Sequence, residues 1–288
     1  MEAGNVVPNR SDQREFVEAL ARGLDIIRAF HAHKPLRTVS DLAAELNLAR
    51  PTVHRILQTL EQLGYVVQTD GGYYLSAKVL ELGVSYVAMR GFYGAARPHL
   101  ERLAGHLDQA VTLAELVDAD IVIIGRAEVP KIVAYNAALG QKLPAHSTAL
   151  GRVLLSGLSD EEVARRLAMP SLAAIQPLES LKAADVAAEI VRVREQGWSL
   201  VDQTMSIGYH AIAAPITDTA GAVVAAIGII VHGTDVNQQQ LTNHHLPLLV
   251  TTAKSISEEF AHMSELPRSR TTATGPSYVS FTAQSTPA

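Results

Sequence analysis

The residues best suited to chemistry lie in one short stretch, from Arg50 to Thr59. Polar side chains there alternate with aliphatic ones, and the polar set holds two arginines, a histidine, a glutamine and two threonines. Guanidinium and amide groups form paired hydrogen bonds with the edges of guanine and adenine, and arginine and threonine also bind phosphate. The stretch therefore indicates hydrogen bonding to a nucleic acid.

An amphipathic helix would place this polar set on one side. The aliphatic residues fall at the spacing of one helical face, at Val53, Ile56, Leu57, Leu60 and Leu63. Pro51 stands in the first turn, where its missing N–H costs nothing, and Gly64 ends the helix. The residues expected to meet phosphates are Arg50 and Thr52, beside Pro51. The residues expected to reach base edges are His54, Arg55, Gln58 and Thr59.

A second helix and a hairpin flank the polar helix. Thr38 followed by Asp41 has the spacing of a capping box, and Asn47 tolerates the left-handed conformation that a tight turn requires. Two β-type runs enclose a Thr-Asp-Gly-Gly turn, and the second run begins at Tyr73. The pattern over residues 14–76 predicts a winged helix-turn-helix, which places one helix in a DNA major groove. In this wing, Tyr73 is expected to touch the DNA.

A second polar cluster occurs where a loop enters a helix, between Leu143 and Gly151. His146, Ser147 and Thr148 stand at the start of that helix. Free amides at a helix N-terminus, with adjacent hydroxyl groups, form a site for an anion such as a carboxylate. Gly151 would let a ligand approach the helix closely, and His146 is either a ligand contact or a structural cap. A His-Ser pair without a GxSxG motif does not indicate a hydrolase, so we expect no catalysis.

Three further polar residues, Asp202, Tyr209 and His210, cluster before a strand-like run. Tyr209 and His210 either bond a phenol or carboxylate or lie on the surface. The chain has 11 histidines but no HExxH motif and no cysteine. We therefore expect neither a metal nor a cofactor.

The totals limit the class of protein. The 288 residues carry a net charge of -5, and residues 1–90 hold as many acidic as basic side chains, so overall charge alone does not indicate DNA binding. The absence of cysteine fits a reducing cytosol. No signal peptide and no membrane-spanning run are apparent. We expect a cytoplasmic protein with no membrane association.

The remaining pattern predicts the domain organisation. Apolar residues at steps of three or four from Phe16 to Phe30 predict a first helix. Residues 77–93 predict a linker helix. Residues 94–264 alternate helical and strand-like runs, typical of an α+β effector-binding and oligomerisation domain with helices on one face of an antiparallel sheet. Residues 265–288 are rich in Ser, Thr and Pro and predict a disordered tail.

Four stretches, in this order, resemble the IclR family of transcriptional regulators, and within it the branch that controls aromatic-acid catabolism. They are Phe16–Phe30, Ala49–Val66, Leu143–Ser156 and Gly197–Ile229. The resemblance implies an N-terminal winged helix-turn-helix, a linker helix and a C-terminal domain that binds a small acid. It also implies homodimers, commonly paired as dimers of dimers, on double-stranded operator DNA.

The chain departs from the family pattern at several positions. Met205 stands where an acidic residue is frequent, and His210 and Ala211 replace an Arg-Ser or Arg-Cys pair. Near Gly228 and Ile230, relatives that bind very small polar acids tend to carry serines. The less polar wall favours an aromatic carboxylic acid such as 4-hydroxybenzoate or protocatechuate. The nine residues expected to bind this effector are His146, Ser147, Thr148, Gly151, Asp202, Tyr209, His210, Ala211 and Gly228. The alternatives are a small aliphatic keto acid or a C-terminal domain without an effector.

Overall fold

The computed structural model describes residues 16–30, 34–83, 92–130 and 137–265, and the chain divides into two compact units, residues 1–90 and 91–288. The described part of the first unit contains three helices, a hairpin and a short 3-10 turn. These elements are α1 Glu18–Arg28, α2 Val39–Glu45, α3 Arg50–Gln62, β1 Val66–Thr69, β2 Gly72–Leu75 and the turn Ala77–Leu80.

Local signals set the ends of these elements. Thr38 caps α2 by accepting a hydrogen bond from the Asp41 amide at 3.1 Å, and the Asp41 carboxylate accepts one from the Thr38 amide at 3.0 Å. The Thr38 hydroxyl also donates to the Asp41 carboxylate at 2.8 Å, and this bond, followed by the one from the Thr38 amide, lowers the pKa of Asp41. Asn47 adopts the left-handed conformation between α2 and α3, with φ of 50°. Gly64 does the same after α3, with φ of 80°. The predicted capping box, turn residue and hairpin are confirmed.

The core of the first unit is formed where α1, α2, α3 and the hairpin meet. Its buried residues include Ile26, Leu42, Val53, Leu57 and Tyr73. The predicted apolar faces are only partly correct, because each helix is covered along only part of its surface. Four residues of these predicted apolar faces are exposed instead of buried: Phe16 at 66%, Leu20 at 64%, Leu24 at 42% and Leu63 at 52%.

The described part of the second unit combines helices with an antiparallel sheet. Its longer helices are α4 Phe92–Leu107, α5 Ala149–Ser156, α6 Asp160–Ala168, α7 Ala183–Gln196 and α8 Leu246–Glu265, and short helical segments cover Ala145–Ser147, Gln238–Gln240 and Leu241–His245. Its strands are β3 Val111–Val117, β4 Asp120–Ala127, β5 Lys142–Pro144, β6 Ser199–Asp202, β7 Tyr209–Thr217 and β8 Val223–His232. Together these strands form one sheet in the order β5-β4-β3-β8-β7-β6, and every pair is antiparallel.

Helices cover both faces of this sheet, so the expectation of helices on one face is wrong. Ile212 and Ile227 pack with α4 and α8, whereas Ala213 and Ala226, their neighbours along β7 and β8, pack with α5 and α7. Because successive residues of a strand point to opposite faces, a strand buried on both sides has no polar alternation. The antiparallel α+β fold itself is confirmed.

Several predictions fall wholly or partly outside the described residues. Of the predicted linker helix 77–93, the turn Ala77–Leu80 and helical residues up to Gly83 are described, and α4 begins at Phe92. Residues 84–91 are outside the described part, as are residues 132–135, where the run Ile-Val-Ala-Tyr predicts a further strand. Of the predicted tail 265–288, only Glu265 is described, as the last residue of α8.

Candidate functional site

The outer face of α3 is polar and accessible. Arg50, Pro51, His54 and Arg55 are exposed, as are Gln58 and Thr59, while Thr52 is half-buried. No carboxylate of the described residues forms an ion pair with Arg50 or Arg55. The Thr59 hydroxyl donates to the Arg55 carbonyl at 3.0 Å, so its own donor is used within the helix. This face can donate several hydrogen bonds to an anionic partner.

The prediction that Tyr73 touches DNA is wrong, because its side chain lies in the core at 4% exposure. Burial raises the pKa of the Tyr73 phenol. Tyr74, the next residue of β2, points outward and is 40% exposed. The two-residue repeat of a strand allows only one of two neighbours to face inward.

A buried arginine, Arg37, ties the hairpin to the helices. Its main chain pairs with Tyr73, with N···O distances of 2.9 and 2.8 Å. Its guanidinium donates to the Ala29 carbonyl at 2.6 Å and pairs with Glu45. Sequence reasoning missed this residue, because an arginine between two helices is normally exposed.

An open cleft lies in the second unit beside the N-terminus of α5. Its walls are mostly aliphatic and come from the sheet, from α5 and from the loop that joins β6 to β7. The aliphatic members include Ile121, Leu143, Leu150, Val201 and Ile230. Within the described residues its lining contains no charged side chain, and the polar members are Ser147, Thr148, Thr204, Ser206 and Tyr209. The cleft suits a ligand with an apolar body and few polar groups.

The N-terminus of α5 provides the polar end of this cleft. Thr148 caps the helix by accepting a hydrogen bond from the Gly151 amide at 3.0 Å. Ala149 and Leu150 line the cleft in the first turn, where backbone amides have no acceptor within the helix. The Ser147 side chain is fully buried, and its hydroxyl has no hydrogen-bond partner among the described residues. Helix N-terminal amides and a hydroxyl at one point are groups that can hydrogen-bond an anion without a cation.

Five of the nine residues predicted to bind an effector line this cleft: Ser147, Thr148, Tyr209, Ala211 and Gly228. Gly228 also permits close packing, because a Cβ there would lie 2.9 Å from the Ile212 carbonyl oxygen and from Leu150 Cδ2. Thr204 and Ser206 were not anticipated, since loop residues follow no periodic pattern. The available signal in the sequence was Gly208, the glycine at the end of their loop, which has a φ of 80° in the structure.

The other four predicted residues, His146, Gly151, Asp202 and His210, do not line the cleft. His210 Nδ1 lies 2.8 Å from Asp202 Oδ1 across paired strands, on the face opposite to Tyr209. A Cβ on Gly151 would lie 2.1 Å from the Ala145 carbonyl oxygen, so this glycine serves helix packing rather than ligand approach. His146 faces a different cleft. Burial, and then the nearby Arg152, lower the pKa of His146.

Two general features are absent from the described residues. No helix there has the length and apolar character needed to cross a membrane. No group of three histidine, cysteine or acidic side chains in these residues is placed to hold a metal ion.

Comparison with known proteins matches both units to one family. Residues 19–70 match the IclR helix-turn-helix domain, and residues 84–258 match the domain described as bacterial transcriptional regulator IclR C-terminal. The Pca regulon regulatory protein of Pseudomonas putida is 33% identical over 246 residues, which cover 85% of this chain and 84% of that protein.

Solved structures agree with these matches. A Rhodococcus sp. RHA1 protein assigned as a transcriptional regulator is 35% identical, with a TM-score of 0.74 over 86% of this chain and 100% of its own. An IclR homologue from Microbacterium hydrocarbonoxydans, complexed with 4-hydroxybenzoate, has a TM-score of 0.72 at 21% identity, over 84% of this chain and 99% of its own. At that identity the second likeness concerns the fold.

Proposed function

This chain belongs to the IclR family of bacterial transcriptional regulators, and we propose that it binds operator DNA through α3 and responds to a small aromatic carboxylic acid. It is a regulator and not an enzyme. The observation that supports the effector most strongly is the apolar cleft with the buried, unpartnered Ser147 hydroxyl at a helix N-terminus.

The case for DNA rests on the outer face of α3. Arg55 and Gln58 stand one turn apart on that face and are both exposed, so both can reach base edges from one major groove. Arg50, at the helix start, would bind a phosphate. Each good bidentate base contact contributes about 1–3 kcal/mol of discrimination against the wrong base. Because residues 1–90 carry balanced charge, a single copy lacks the nonspecific attraction of a basic domain.

A single copy with balanced charge should bind DNA weakly, and this favours pairing of two copies. We propose a homodimer, with dimers pairing further into tetramers, on a pseudopalindromic operator. In such dimers the half-sites are separated by about one helical turn of DNA, roughly 34–36 Å. Light scattering of the purified chain measures its mass directly. A monomer at the concentrations that bind DNA would contradict the paired operator.

Selection from a random duplex library with the full-length chain identifies the operator, and anisotropy titration then compares variants. Arg55→Ala should weaken operator binding by about 5- to 150-fold, since each base contact carries about 1–3 kcal/mol. Arg28→Ala is the matched control, because Arg28 is also an exposed arginine of the first unit, with its side chain 74% exposed, but lies on α1. Equal affinity for Arg55→Ala and the unsubstituted chain would remove α3 from the DNA interface.

The effector is inferred from the chemistry of the cleft. A benzene ring fits aliphatic walls such as Val201 and Ile230, and a carboxylate fits the α5 N-terminus beside Ser147. The 4-hydroxybenzoate in the M. hydrocarbonoxydans homologue and the Pca regulon regulator of P. putida support an aromatic acid. Tyr209 and the hydroxyls of Thr204 and Ser206 offer hydrogen bonds to ring substituents at the other polar positions of the cleft.

Calorimetry with a ligand panel tests this proposal. The panel holds 4-hydroxybenzoate, protocatechuate, benzoate, pyruvate and glyoxylate. We expect the aromatic acids to bind and the two small keto acids to bind weakly or not at all, because they leave the apolar walls uncovered. Tighter binding of pyruvate or glyoxylate would replace the aromatic effector with an aliphatic one. Binding of no member would favour a C-terminal domain that only oligomerises.

A further inference from the structure

A second cleft lies in the same unit beneath the start of α7. Its apolar wall includes Leu155, Leu167 and Val186. The first turn of α7 forms one side, where Ala183 lines the cleft and is exposed. This cleft shares no lining residue with the one beside Ser147.

Two side chains supply hydrogen-bond donors to the second cleft, and both come from its rim. One is His146, whose low pKa leaves a neutral ring that can donate from one nitrogen. The other is Arg166, which donates from Nε to Glu162 at 2.7 Å and from Nη1 to the Asp118 carbonyl at 3.0 Å. A guanidinium carries five N–H donors, so these bonds leave others for a ligand.

Three acidic side chains lie near this cleft, and two of them, Glu162 and Asp118, pair with Arg166, the Asp118 carboxylate lying 3.8 Å from Arg166 Nη1. The Asp120 carboxylate, 2% exposed, accepts from the Ser171 hydroxyl at 2.5 Å and from the Leu172 amide at 2.8 Å. Glu162 accepts from Arg165 as well as Arg166, and these bonds lower its pKa to about 2. The lining itself contains no carboxylate among the described residues. An anionic ligand therefore meets donors at the rim.

One turn of chain separates the two clefts. Ala145 and His146 face the second cleft, and Ser147 and Thr148 face the first. The turn is held firmly to α5: Arg152 Nε donates to the His146 carbonyl at 3.1 Å, and Gly151 packs directly against Ala145. A ligand that moves His146 therefore also moves the Ser147 hydroxyl and the first turn of α5.

We propose that the second cleft is a separate binding site for a small monocarboxylate with an apolar body, and that its occupancy changes the affinity of the Ser147 cleft. The existence of the site does not depend on the proposed effector, whereas the coupling rests on it. Such couplings typically change affinity by about 5- to 150-fold, and the change is the same in both directions.

Fluorine NMR with 4-fluorobenzoate and the full-length chain tests the site. We expect two bound resonances. Ala183→Phe should remove one, because the added ring occupies the cleft, and even one misfitted methylene costs about tenfold or more in affinity. Ala184→Phe is the matched control, because Ala184 is the next exposed residue of α7 and does not line the cleft. Ala211→Phe, which fills the first cleft, should remove the other resonance.

The outcomes separate the two proposals. One resonance that is lost in Ala211→Phe and kept in Ala183→Phe would overturn the second site and leave the proposed effector cleft intact. One resonance with the opposite behaviour would support the second site and overturn the effector cleft. No bound resonance would overturn both. The coupling is tested by the affinity of the Ser147 cleft for 4-fluorobenzoate. In Ala183→Phe this affinity should differ by about fivefold or more from its value in the unsubstituted chain with the second cleft saturated. Equal affinities would overturn the coupling.

Discussion

Removing the Ser147 hydroxyl should change stability and effector affinity in opposite ways. The hydroxyl is fully buried and has no partner among the described residues. A buried, unsatisfied hydroxyl costs on the order of 1–3 kcal/mol. Ser147→Ala should therefore stabilise the ligand-free protein by about 1 kcal/mol, which raises the Tm of a domain of this size by roughly 2–4 °C.

The effector should bind this variant more weakly. A hydrogen bond to a charged group contributes about 1.5–3 kcal/mol, which corresponds to roughly a 10- to 150-fold change in affinity. Differential scanning calorimetry without ligand gives the first quantity, and isothermal titration with 4-hydroxybenzoate gives the second.

Ser199→Ala is the matched control for this pair of measurements. Ser199 on β6 is 1% exposed and its hydroxyl also has no partner among the described residues, but it does not line the cleft. Ser199→Ala should stabilise the protein to a similar extent and leave the affinity for the effector unchanged. If Ser147→Ala binds 4-hydroxybenzoate as tightly as the unsubstituted chain does, the proposed position of the effector carboxylate beside Ser147 is refuted.

Three further predictions concern buried groups. Arg37→Met should lower the free energy of unfolding of the first unit by about 2–3 kcal/mol in urea titrations, less than for a fully buried pair because Glu45 is partly exposed; no loss would contradict the anchoring role of Arg37. Tyr73→Ala should cost about 3–5 kcal/mol in the same assay, while Tyr74→Ala should cost far less, and equal losses would contradict the assigned strand register. Because the pKa of His146 in the folded chain is lowered from 6.5, the unfolded chain binds a proton at higher pH than the folded chain does. The free energy of unfolding therefore falls as the pH drops through 6.5. His146→Gln should flatten this fall, measured as Tm from about pH 7.5 to 5.5.

Elements with strong local signals were predictable from the sequence. Pro51 and Gly64 marked the two ends of α3, and the Thr38–Asp41 capping box marked the start of α2. Tyr73 and Tyr74 show the limit of such reasoning. A shift of one residue in a strand reverses inside and outside, and two adjacent tyrosines carry no signal that fixes the register.

The candidate site was only partly predictable for a related reason. The approach of Ser147 to the sheet depends on contacts distant in sequence, and Thr204 and Ser206 lie in a loop without periodicity. His146 and Ser147 are neighbours, yet the turn directs them to different clefts. The exposed Leu20 and Leu24 show the same limit of local patterns. An apolar stripe predicts one face of a helix but does not show what covers that face.

The most direct test of a ligand-responsive regulator is the operator affinity of the full-length chain with and without saturating 4-hydroxybenzoate. Linkage requires the effector to change the DNA dissociation constant by its differential affinity for the two states, typically about 5- to 150-fold. Anisotropy titration should show a saturable change of this size, and Ser147→Ala should require a higher effector concentration to reach it. An operator affinity that stays the same at every effector concentration would contradict the account.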